Sequence, residues 1–192
     1  MRVVKIVESG IKIIDKLLGG FPFPSTILVI LDPLSTPELF IYNLCRGGYY
    51  FAFFKSAKII EEEIGKLGIE LNVIEIKNEK ELISKLEELK ERRVVVEYGF
   101  EVELVRKIRE IAVKNELLVY LCILRDWFDE KDLSVLKYLC DGVLIIECSR
   151  VGDKIIGKFS IPKMLFGATL GEFVRFKIYK GLLEIDTSKD IA

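Results

Sequence analysis

The chain has 192 residues, 51% of them hydrophobic, with 29 basic and 30 acidic side chains. That is enough apolar material for one compact domain spanning residues 1–192, and the balanced charge gives no global reason to expect nucleic acid as a partner. Histidine is absent, which removes the commonest general base and the commonest metal ligand together, so no catalytic or metal-binding set is expected.

The four cysteines, Cys45, Cys122, Cys140 and Cys148, are far apart and lie in apolar runs such as "LVYLCILR" and "VLIIECS". They read as buried, reduced thiols of a cytoplasmic protein. No apolar run reaches the ~18 residues that a membrane span needs. The opening "MRVVKIVESG" is too short and too charged for a signal peptide. Glutamine is absent and the charged residues are mostly Lys, Glu and Arg. That bias is typical of hyperthermophile proteins, which avoid thermolabile amides and favour ion-pair networks.

In chain order, the first expected strand is "STILVILD" (25–32), followed by a helix in "STPELFIYNLCRGG". "YYFAFFK" (49–55) is the next strand and "SAKIIEEEIGKLG" a helix ending at glycine. "ELNVIEIK" (70–77) is a strand; "NEKELISKLEELKER" then spaces Leu82, Leu86 and Leu89 at helical intervals. After the strand "RRVVVEYG" (92–99), the helix "EVELVRKIREIAVKN" places Val102, Val105, Arg109 and Ala112 on nearby turns. "ELLVYLCILR" (116–125), the short helix "EKDLSVLKYLC" and "DGVLIIECS" (141–149) complete the alternation. Most strands are continuous apolar runs, as expected where both faces are covered. Strand–helix repetition predicts an α/β fold with a mostly parallel central sheet flanked by helices. Beyond residue 149 the pattern changes: "KIIGKFSIP", "FVRFKIYK" and "LLEIDT", separated by turn signals, read as antiparallel strands added at the C-terminal edge.

Several motifs resemble one family. "ESGIKIIDKLLGGFPFPST" matches the leader of the KaiC-like branch of the RecA/RadA superfamily, of an archaeal type, at Ser9, Gly10, Ile11, Asp15, Leu17, Leu18, Gly19, Gly20 and Ser25. "YLCDGVLIIE" is similar to that family's strand of the form alanine, aspartate, glycine, valine, isoleucine, and "KMLFG" stands where the family has lysine, methionine, arginine, glycine. "FKIYKGLLEIDT" is similar to its closing strand pair. The resemblance implies a RecA-like P-loop NTPase fold over nearly the whole chain.

The departures fall where that family holds its nucleotide. A phosphate loop works through glycines that let backbone N–H groups approach the phosphate, a lysine, and a hydroxyl for magnesium. The matching positions here are Leu31, Asp32, Pro33, Leu34, Ser35, Thr36, Pro37 and Glu38. The glycines are gone, Pro37 stands at the lysine position without an N–H, and Glu38 stands where the magnesium hydroxyl belongs. By the same resemblance, Phe54 and Lys55 stand where the family carries a pair of glutamates, one of which activates the attacking water, and Glu97 stands where it has a magnesium-organising aspartate. Glu97 is expected to cap or pair at a strand end, and Lys55 to be solvated at another. "STPE" reads as a helix start: Ser35 and Glu38 have the spacing of a capping box, with Thr36 followed by Pro37 as the alternative cap.

These substitutions imply a non-catalytic KaiC-like protein, a pseudo-ATPase acting as a protein-interaction or regulatory module, with no cofactor. A divergent ATPase using Glu97, Lys55 and Asp32 is the alternative; it would need a new phosphate site. A DNA-binding recombinase paralogue ranks third, because "EYGFEVELV" is acidic and "RRVVV" is too small for a backbone-tracking stripe. The expected partner is a protein or peptide, or further copies of the chain, with no nucleic acid and no membrane. Met164, Leu165 and Phe166, in the loop "IPKMLFGATLGEF", are the candidate interface residues.

Overall fold

Seven consecutive buried residues, Ser25–Leu31, form strand β3 at the centre of the molecule. The computed structural model describes residues 4–151, 154–179 and 182–185. Before β3 come β1 (Lys5–Val7), α1 (Lys12–Leu18) and β2 (Phe21–Phe23). After it come a 3-10 turn (Pro33–Ser35), α2 (Glu38–Leu44), β4 (Tyr49–Ala52), α3 (Ala57–Leu67), β5 (Asn72–Glu75), α4 (Glu79–Glu88) and β6 (Arg93–Glu97). The chain continues through α5 (Leu104–Asn115), β7 (Leu118–Leu124), α6 (Glu130–Leu139) and β8 (Gly142–Val151). It closes with β9 (Lys154–Met164), β10 (Leu170–Tyr179) and β11 (Leu182–Ile185).

Nine strands form one sheet in the order β11-β10-β9-β8-β3-β7-β6-β4-β5. The six strands from β8 to β5 pair in parallel, and β9, β10 and β11 are added antiparallel. This is the α/β architecture expected from the sequence pattern. β3 is hydrogen-bonded on both sides, to β7 and β8, and its side chains alternate between two cores. Ile27, Val29 and Leu31 pack with residues of α1, α2 and α3 and with Phe159 and Phe176. Leu28 and Ile30 pack with residues of α4, α5 and α6. A strand covered on both faces has no polar side, which is why these strands read as unbroken apolar runs.

Three features differ from the sequence expectation. The leader is itself folded: β1 and β2 make a separate two-stranded antiparallel sheet with α1 between them. Second, the strand expected over 49–55 ends at Ala52, because the backbone of Phe53–Lys55 curls around the Glu97 carboxylate. Third, the helix expected from Ser35 or Thr36 begins at Glu38. Thr36 takes a left-handed backbone (φ 53°), which no regular helix start accommodates. Part of the closing motif, "FKIYKGLLEIDT", lies outside the described residues; the rest forms β10 and β11.

Gly10 fixes the leader against the body of the fold. Its φ is +86°, and a Cβ built there would lie 2.2 Å from the Asn43 carbonyl oxygen at the end of α2. Gly10→Ala combines a strained backbone with a clash against main chain that cannot rotate away. The expected cost is about 3 kcal/mol, read as a lower denaturant midpoint with an unchanged slope.

Candidate functional site

In parallel α/β sheets, ligands bind beyond the carboxyl ends of the strands where successive connections leave toward opposite faces. Here the connections after β3 and β4 run to α2 and α3 on one face, and those after β6 and β7 run to α5 and α6 on the other. The crevice at these strand ends is bordered by Pro37, Glu38, Phe54, Lys55 and Glu97. A small, mainly apolar cavity of about 150 Å³ lies there, lined by residues including Leu31, Ile41, Tyr50, Cys122 and Leu124.

The β3–α2 junction is closed by its own side chains. Asp32 Oδ1 accepts from the Leu34 N–H at 2.9 Å, and the Asp32 carbonyl accepts from the Ser35 N–H at 3.0 Å. Asp32 Oδ2 accepts from the backbone and thiol of Cys148 at 3.4 and 3.3 Å. A carboxylate of the protein itself thus occupies one N–H of the turn and one of β8. Partial burial raises the Asp32 pKa, but these hydrogen bonds and Arg125 outweigh it and hold the carboxyl below its ordinary range. The Ser35 hydroxyl donates back to the Asp32 carbonyl at 2.6 Å. It does not cap α2, which has no side-chain cap. The capping box read from the sequence is therefore not formed, because the intervening 3-10 turn carries Ser35 away from the helix start. Glu38 does lie in the first turn of α2, where its charge suits the helix dipole.

Lys55 is not simply solvated. Its Nζ lies 3.1 Å from Glu38 Oε1 and 3.0 Å from both carboxylate oxygens of Glu63, tying α2, the β4–α3 loop and α3 together. Burial opposes the lysine charge, but the hydrogen bonds from Nζ to Glu63 and Glu38 prevail and raise its pKa. Tyr42 donates a short hydrogen bond to Glu63 from the buried side, and its phenol is pushed far up, first by burial and then by Glu63. Sequence reasoning missed this network because Glu63 sits on a helix that carries three successive glutamates.

Glu97 is buried at the end of β6. Its Oε2 accepts from the N–H groups of Phe53, Phe54 and Lys55 at 2.7, 2.5 and 3.1 Å, and its Oε1 accepts from the Tyr50 hydroxyl at 2.8 Å. The strand-end capping expected of Glu97 is what the geometry shows. A carboxylate that receives three consecutive backbone N–H groups is oriented inward toward the protein.

The candidate interface residues lie at the opposite edge of the sheet, since Met164 pairs with Gly142 at the amino end of β8. Met164 is 7% exposed and belongs to the core; the antiparallel pairing of β9 turns it inward, so it offers no surface to a partner. Leu165 and Phe166 are 40% and 75% exposed. Lys163 donates to the carbonyls of Lys137, Tyr138 and Cys140 at 2.8, 3.0 and 2.6 Å, closing the end of α6. Among the described residues, no group of three or more Cys, Asp or Glu is arranged to hold a metal ion, and no helix is long and apolar enough to cross a membrane. Cys45, Cys122 and Cys140 are buried and Cys148 is partly exposed; all four are free.

With this geometry in hand, the chain can be placed among known proteins. Its fold is that of KaiC-like, RecA-type proteins. It matches a solved structure with a TM-score of 0.80 at 15% identity, covering 95% of this chain and 99% of the other. That structure is the KaiC-like protein PH0186 from the hyperthermophilic archaeon Pyrococcus horikoshii OT3. Residues 6–192 match the model of a family of unknown function, DUF7125, and the chain belongs to that family. No curated protein matches it.

Two outcomes are expected at this site. Glu97→Ala leaves the Tyr50 hydroxyl and three backbone N–H groups without their partner and should destabilise the protein by about 2–4 kcal/mol in urea unfolding. The folded pKa of Asp32, like that of Glu147 beside Lys158 and Arg125, lies below its unfolded value. Their contribution is therefore complete above the unfolded values near 4 and is lost as pH falls through the lower folded ones. Asp32→Asn keeps an acceptor for the Leu34 N–H but removes the titration. Its urea midpoint should fall less than that of the parent protein between about pH 6 and pH 3.

Proposed function

We propose that this protein is a non-catalytic KaiC-like protein, a pseudo-ATPase that keeps the RecA-like fold as a protein-interaction or regulatory module. One observation carries this reading: the strand–helix junction that would hold phosphate is satisfied from within. The Asp32 carboxylate occupies the Leu34 N–H and its carbonyl the Ser35 N–H, Pro33 and Pro37 contribute none, and Lys55, a cation beside the junction, is held between Glu38 and Glu63. An incoming triphosphate would meet the Asp32 and Glu38 carboxylates and would have to displace existing hydrogen bonds, with no glycine to let the backbone close around it. The Lys- and Glu-rich, glutamine-free composition supports a hyperthermophilic source, the resemblance to KaiC-like proteins an archaeal one, and the four free cysteines a cytoplasmic setting.

In this role the protein acts by association, with another protein or with itself. The exposed Leu165 and Phe166 at the amino edge of the sheet supply apolar contact area of the kind that interface cores use.

Calorimetric titration with Mg-ATP tests the first part. The expected result is no binding tighter than about millimolar and no phosphate release; a micromolar complex would sink the proposal. For the second part, Leu165→Ser/Phe166→Ser should reduce the mass seen by light scattering while the melting temperature stays within about 3 °C. An unchanged mass with a lowered melting temperature would assign both side chains to stability instead.

A further inference from the structure

At the carboxyl edge of the sheet the β4–α3, β6–α5 and β7–α6 loops bring an aromatic cluster together. Phe54 and Trp127 meet edge to face at 4.9 Å between ring centroids and remain 37% and 50% exposed. Beneath them Phe53 packs on Phe54 at 5.2 Å and on Phe100 at 4.7 Å. Tyr98 contacts Phe100 and stacks on Phe128. The cluster is held from two sides. Glu97 fixes the backbone of Phe53 and Phe54, and Gly99 leaves space where a Cβ would lie 2.5 Å from Phe53 and 3.3 Å from Phe54. Phe54 and Trp127 are in contact with each other over a packed aromatic base, and contiguous apolar surface, unlike scattered exposed residues, marks a contact site.

The charge around the rings has one predominant sign. Asp126 and Asp129 flank Trp127 and Phe128, and Glu101 and Glu103 follow Phe100; all four are exposed. Burial, then Glu79, and further Glu103 and Glu101 raise the phenol of Tyr98, the residue that contacts Phe100 and Phe128. Two cations next in sequence to the patch are engaged elsewhere: Lys55 with Glu38 and Glu63, and Arg125 with Glu147. Lys131 is the one basic residue in the segment 126–132. Acidic groups around exposed aromatic faces form the environment that attracts a guanidinium or ammonium by charge and by cation–π contact, with tryptophan the strongest ring.

We propose that the Phe54–Trp127 patch is a docking site for a basic segment of a partner protein, presenting an arginine or lysine to these two rings within the acidic rim. The proposal rests on the interaction role given above and names a second surface for it, at the opposite edge from Leu165 and Phe166.

Trp127 is the only tryptophan in the chain, so its emission reports on the patch directly. An acetylated peptide of alternating arginine and glycine is titrated against the whole protein, with a glutamate–glycine peptide as control. The expected result is a saturable emission change with the arginine peptide alone, weakening about tenfold or more between about 50 and 200 mM salt. The double variant Asp126→Asn/Asp129→Asn removes both charges while leaving a side-chain amide that can still cap α6. It should lower the affinity at least about fivefold, as should Phe54→Ala. Absence of an emission change, an equal response to the glutamate peptide, or unchanged affinity in both variants would overturn the proposal. So would a concentration-dependent emission change without peptide that Phe54→Ala abolishes, since the occupant would then be a second copy. A Mg-ATP titration by calorimetry separates the two readings: nucleotide binding would remove the pseudo-ATPase role, whereas failure of the peptide alone would remove only this site.

Discussion

The carboxylate of Glu97 organises the carboxyl edge of the sheet. It is buried at the end of β6 and draws in three consecutive N–H groups from the neighbouring β4 loop together with the Tyr50 hydroxyl. A buried charge is tolerated only when it is this fully hydrogen-bonded. The requirement ends β4 at Ala52 and sets the course of Phe53, Phe54 and Lys55. Lys55 then lies where Glu38 and Glu63 reach it, and Phe54 lies where Trp127 meets it. One strand-end carboxylate therefore positions both the charged network and the aromatic pair.

The same principle governs the turn after β3. A strand whose seven residues are all buried must hand its chain to a helix without leaving polar groups unpaired. Related folds can satisfy such a turn with a bound anion. This chain uses Asp32, whose carboxylate serves Leu34 and Cys148, and a 3-10 turn closed by the Ser35 hydroxyl. Charge beside the β3–α2 junction and at the end of α6 is turned to the protein itself: Asp32 to backbone N–H groups, Lys55 to two glutamates, and Lys163 to the carbonyls ending α6. Each end of the sheet leaves large apolar side chains in solvent, Leu165 and Phe166 at one and Phe54 and Trp127, with exposed carboxylates beside them in the chain, at the other.

The sequence by itself determined the architecture. Continuous apolar runs such as "TILVI" and "RVVVE" belong to strands buried on both faces, and the helices between them carry helical spacing. The change of pattern after residue 149 marked the antiparallel extension. These signals are local, because side-chain periodicity reports how many faces an element buries. The absence of glycine between β3 and α2 was equally plain, as was the resemblance to KaiC-like proteins.

Only the tertiary structure decided how the charges and the exposed rings are used. Ser35, Thr36 and Glu38 spell a helix cap in one dimension, yet the left-handed Thr36 and the Asp32 turn assign their groups differently. Met164, Leu165 and Phe166 are consecutive, but the pairing of β9 with β8 buries the first and leaves the next two in solvent. Glu63 reaches Lys55 from α3, Glu97 reaches Phe54 across 43 positions of sequence, and Trp127 meets Phe54 from a third loop. Hydrogen bonds and ring contacts act over a few ångströms in space, and no periodicity along the chain records which distant loops the sheet order brings within that range.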